Sequence, residues 1–61
     1  MTLQNVIDNI NNTIAGKEEL LNILLRETSS DICCQFIRMN LSELRAIRDD
    51  IIKVKKSQET S

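Results

Sequence analysis

The side chains that could carry chemistry in this chain are few and poorly placed for it. Histidine, tyrosine and tryptophan are absent, so no imidazole can act as general base or metal ligand. No glycine-rich loop is present, and no nucleophile is flanked by a plausible base. Asp49 and Asp50 form a carboxylate pair, but Arg45, Asp49 and Lys53 follow at i, i+4 and i+8. That spacing makes a solvated ion-pair ladder on a helix rather than an acid–base pair. The chain is not expected to be an enzyme.

Two further groups could be reactive or binding. Cys33 and Cys34 open a helical pattern, where a helix N-terminus can activate a thiol. On a helix they point about 100° apart and cannot easily bond each other. Without further spaced ligands they do not make a zinc site, so neither cofactor nor metal is expected. Cys33 falls on the apolar stripe, and core packing as a small hydrophobe is the favoured reading, the alternative being a redox or intersubunit role for Cys34. The second group is basic. Arg38, Arg45 and Lys56 share an outward face with Arg48 and Lys55 beside them, and such a stripe could contact phosphates. Asp49 interrupts it, and Phe36, the one aromatic residue, offers no stacking platform.

The elements that hold these residues follow from apolar spacing. Leu3, Ile7, Ile10, Ile14, Leu21 and Leu24 repeat at helical intervals after Thr2, a suitable N-cap, with Lys17 filling one slot. Gly16 lies inside this pattern. The apolar phase is the same on both sides of it, so one helix is expected to run through, the alternative being a break before Lys17–Glu19. Cys33, Ile37, Leu44, Ile47, Ile51 and Val54 form a second stripe, broken once by Asn40. Asn40 therefore reads either as a buried register-setter or as an interface-edge residue that meets water. Thr28–Ser30 is the turn-like cluster between the stripes. Thr28 or Ser29 can cap the second helix, and Asp31 suits its dipole. A connection this short makes the helices antiparallel neighbours. The expected fold is one all-α domain over residues 1–61, an antiparallel two-helix hairpin. Its helices run over about 3–27 and 31–56, the turn over 28–30, and a polar tail over 57–61 frays.

Charge and size bound the partners. The net charge of −1 gives no global attraction to nucleic acid or membrane. Residues 1–31 carry −3 and residues 32–56 carry +3, as expected for oppositely charged helices lying side by side. No apolar run is long enough to span a membrane, and the N-terminus does not resemble a signal peptide. Two thiols without partners agree with a reducing compartment, so a cytoplasmic location in a bacterial host is expected. A chain of 61 residues makes a marginal lone fold. Leu20 and Ile23 project off the first stripe, and Cys34, Leu41 and Ile52 off the second. Together with Phe36 they are the expected self-association or partner interface, and a homodimer packed as a four-helix bundle would cover them.

Three resemblances bear on function. The segment FIRMNLSELRAIRDDI (Phe36–Ile51), with the chain's size and asparagine-rich opening, resembles small early-region proteins of lambdoid phages encoded between exonuclease and excisionase. This likeness implies a non-enzymatic accessory that redirects the host cell through a host protein. The hairpin architecture is similar to the plasmid repressor-of-primer family, four-helix bundles that bind paired RNA loops, with Asp31–Ile32–Cys33 as the local match. Leu41–Ser42–Glu43–Leu44 resembles the Ser-Gln-Glu-Leu-Asp signature of small sporulation phosphatases. Here the glutamine is missing and Arg45 replaces the aspartate, which argues against phosphatase activity. The resulting expectation is a non-enzymatic protein-interaction module, a phage or mobile-element accessory. The alternative is an RNA- or DNA-binding regulator using Arg38, Arg45, Arg48, Lys55 and Lys56.

Overall fold

The computed structural model describes residues 2–27 and 31–60, and in it two helices pack against each other as a hairpin: α1 (Leu3–Glu27) and α2 (Asp31–Thr60). The predicted turn over residues 28–30, with its Thr28 or Ser29 cap, lies outside the described residues. The pair measures 49 × 16 × 13 Å.

α1 starts where Thr2 caps it. The Asn5 amide donates to Thr2 Oγ1 and the Val6 amide to the Thr2 carbonyl, both at 3.2 Å, satisfying amides that a helix start otherwise leaves open. One turn later Gln4 Nε2 donates to Asp8 Oδ1 at 2.9 Å. Thr13, a weak helix former, folds its hydroxyl back onto the Asn9 carbonyl at 3.0 Å. The helix continues through Gly16, which has no positive φ angle and open space where a side chain would begin. Gly16→Ala should therefore stabilise the protein by about 1 kcal/mol through helix propensity alone. In a domain of this size that raises the thermal midpoint by about 4–8 °C. A fall in the midpoint on heating would show that the glycine is needed for another reason.

α2 continues to Thr60 instead of ending near residue 56. Lys55 Nζ meets Glu59 Oε1 at 2.8 Å across one turn. Gln58 and Glu59 line a shallow groove with Thr2, Leu3 and Gln4, so this last turn lies beside the start of α1. Glutamine, glutamate and lysine are good helix formers, and a neighbouring helix gives them a surface to lie on.

Ile14, Ile37 and Leu41 form the centre of the core, with Ile10, Leu21, Leu24 and Leu44 packed against them. Ile7 and Cys34 are buried to either side along the seam. The α1 side matches the predicted stripe. The α2 side does not. Its inward residues are Cys34, Ile37, Leu41, Leu44, Arg48, Ile51 and Lys55, whereas Cys33, Asn40, Ile47 and Val54 are exposed. Asn40 therefore does not set the register of α2 on α1. Two effects favour the observed phase. It puts Leu41, the most buried residue at 3% exposure, where the expected phase would bury an amide without a partner. It also places Arg48 and Lys55 so that their aliphatic stems cover the seam while their charged ends reach polar partners. Arg48 Nη1 donates to Asn11 Oδ1 of α1 at 3.2 Å, and its Nε to Asp49 Oδ1 at 3.3 Å. Arg48 thus ties the two helices together at the seam.

Candidate interaction surface

Successive residues of a helix are rotated by about 100°, so each flank of the seam draws on a definite set of residues. Glu18, Asn22, Arg38, Ser42 and Arg45 line one groove of about 400 Å³ over Leu21 and Leu41. They define a polar flank. Arg45 Nη2 lies 3.4 Å from Glu18 Oε1 across this groove, so the predicted Arg45–Asp49–Lys53 ladder gives way to a cross-helix pair, while Asp49 pairs with Arg48. Both pairs are exposed enough that each contributes little to stability.

Rotation the other way from the seam brings a different set of residues to the opposite flank. On α1 these are Leu20 and half-buried Leu24, and on α2 they are Cys33, Phe36, Ile47 and Val54. On α2 this flank is apolar toward either end and is interrupted in the middle by Asn40 and Glu43, with Thr13 and Lys17 beside them on α1. A second apolar strip runs along the outer side of α2 near the turn. Ile32, Phe36 and Met39 are each more than 60% exposed and, with Gln35, enclose a shallow groove of about 210 Å³. Phe36 belongs to both surfaces.

The residues expected at an interface are accordingly split. Leu20, Ile23 and Phe36 are exposed. Cys34 and Leu41 belong to the hairpin core, because the seam of α2 is rotated toward them, and Ile52 is half-buried beside it. Ile32, Leu25 and Met39 are exposed apolar residues that the stripe pattern passed over. The spacing of Ile32, Phe36 and Met39, at i, i+4 and i+7, was itself the signal.

The basic residues do not form one open stripe. Arg38 and Arg45 border the polar groove, and Arg45 is paired with Glu18. Arg48 is half-buried against Asn11, Lys55 is half-buried against Glu59, and Lys56 is exposed. Among the described residues, no cluster of cysteine, aspartate and glutamate could hold a metal ion, and no helix is long and apolar enough to cross a membrane.

These features define an all-α helical hairpin with one polar and one apolar flank. No protein-family model, curated protein or solved structure matches the chain.

Proposed function

We propose that this protein is a non-enzymatic interaction module that binds another protein through its exposed apolar surface. The observation that carries this reading is the groove formed by Ile32, Gln35, Phe36 and Met39, with Ile23 and Leu25 also exposed at the same end of the hairpin. Contiguous apolar surface of this kind marks an interaction site on a soluble domain, and an aromatic–methionine pair is typical of the buried centre of an interface. The likeness of Phe36–Ile51 to early-region phage proteins supports an accessory role with a host protein as partner.

The test is capture from a nuclease-treated bacterial lysate, comparing the wild-type protein with Ile32→Asp and Met39→Asp. Both residues are largely exposed, so helicity should be unchanged while a captured protein is lost. Capture that survives both substitutions, or that disappears with nuclease alone, would defeat the proposal. The nucleic-acid alternative is less favoured because Arg45, Arg48 and Lys55 are engaged within the hairpin. Gel shifts with structured RNA and duplex DNA at about 0.15 M salt should show only weak binding without sequence preference. A tight, selective complex lost on Arg38→Glu would reverse this ranking.

A further inference from the structure

The groove on the outer side of α2 leaves the long apolar flank unaccounted for. We infer that this flank is covered by a second copy of the chain, lying face to face with the first and running in the opposite direction. The inference rests on the reading of the exposed apolar surface as binding surface, and it assigns one part of that surface to the protein itself.

Area and shape support a second copy as the occupant. A compact monomer of 7.0 kDa exposes about 4,000 Å², whereas this chain exposes 4671 Å². Its radius of gyration is 14.5 Å, against about 10.5 Å for a compact domain of this length. The hairpin is a single layer with no second layer behind it, and stable domains are built from at least two. A face of 49 × 16 Å can supply the roughly 800 Å² per partner of a standard interface. Because a two-fold interface uses the same patch on both copies, a flank with apolar residues on either side of its middle lets each end meet the other. This one carries Leu20, Leu24, Cys33 and Phe36 toward the turn and Ile47 and Val54 toward the open end.

Charge fixes the direction. The turn-side half of the hairpin, residues 18–44, carries five carboxylates against Arg26 and Arg38, a net −3. The other half carries +2. Two copies running the same way would bring the like-charged ends together. Running oppositely, they put each acidic end over a basic one, and complementary charge of this kind sets orientation more than affinity. The midpoint of the hairpin falls near residue 45 of α2, the middle of Asp31–Thr60. Phe36 lies about 14 Å to the turn side of it at 1.5 Å per residue. In the opposed copy that level falls at Val54, so α2 meets α2 and the aromatic ring packs on an aliphatic side chain. Cys33 comes within about one turn of Val54 of the second copy, while the two Cys33 residues stand about 36 Å apart along the axis.

Sedimentation equilibrium at micromolar concentration should show a species of twice the 7.0 kDa chain mass. Phe36→Asp should weaken it on the order of a hundredfold or more, since symmetry applies the change twice. Because loss of the dimer could unfold so small a chain, the second measurement leaves the flank intact. In a Cys34→Ala background, a short-armed bismaleimide should join two copies efficiently only when Val54→Cys is present together with Cys33. Cys33 alone, or Val54→Cys with Cys33→Ser, should give little product. Efficient cross-linking through Cys33 alone would overturn the opposed direction. A folded monomer at all concentrations would overturn self-association, and the Ile32 and Met39 capture test would still decide the protein-binding reading by itself.

Discussion

Replacing Leu41 by alanine should leave most of the protein unfolded at room temperature. Leu41 is 3% exposed and packs with Ile14 and Ile37 at the centre of the only core the described residues form. A buried leucine cut to alanine costs about 2–5 kcal/mol, the higher values where the surroundings cannot close the cavity. The total stability of a chain this long is about 3–9 kcal/mol at typical per-residue values, and a two-helix layer falls toward the lower end. Far-UV circular dichroism during urea titration measures the effect. Ile47→Ala is the informative comparison. Its side chain is 50% exposed, so the cost within one hairpin should be below about 1 kcal/mol. Any loss of association adds a part that depends on chain concentration, whereas the Leu41 effect does not. Equal, concentration-independent losses at both positions would mean that the helices pack in the other phase.

That comparison matters because the phase of α2 was the part of the fold least legible from the residues. α1 carries one stripe, and Leu3, Ile7, Ile10, Ile14, Leu21 and Leu24 face α2, buried or half-buried, with Lys17 half-buried in its slot. α2 is apolar over a wider arc, and two overlapping stripes share Ile37, Leu44 and Ile51. Counting apolar residues favours the stripe with Cys33, Ile47 and Val54 over the one with Arg48 and Lys55. The count treats arginine and lysine as wholly polar, although their stems pack on apolar surface. It also ignores what the partner helix offers. Asn11 stands ready to accept from Arg48, at 3.2 Å, and nothing in the α2 pattern alone announces that. The candidate surface inherits the same shift. Leu20, Ile23 and Phe36 lie outside either stripe and are exposed, while Cys34 and Leu41 lie outside the stripe of Cys33, Ile47 and Val54 but inside the one that the structure buries.

The two adjacent thiols give a measurement in which this rotation is amplified to orders of magnitude. Cys34 is 5% exposed within the core and Cys33 is exposed, the reverse of what the apolar count favours. With a thiol-specific reagent at low chain concentration, one thiol per chain should react at the rate of a free cysteine. The other must wait for the helices to separate. If opening costs about 3 kcal/mol, the lower end of the range for this chain length, its modification is slowed on the order of a hundredfold. Cys33→Ser should remove the fast phase and leave stability near wild type. Cys34→Ser should remove the slow phase and destabilise the fold, because it buries a hydroxyl where a small apolar side chain sits. Concentration then separates the two levels of structure. Coverage of the apolar flank by a second copy protects Cys33 progressively as the chain concentration rises, through mass action. Packing of α2 on α1 protects Cys34 at every concentration at which far-UV circular dichroism shows the helices intact. A Cys34 that reacts as fast as Cys33 in folded protein would contradict the packing of α2 on α1 described above.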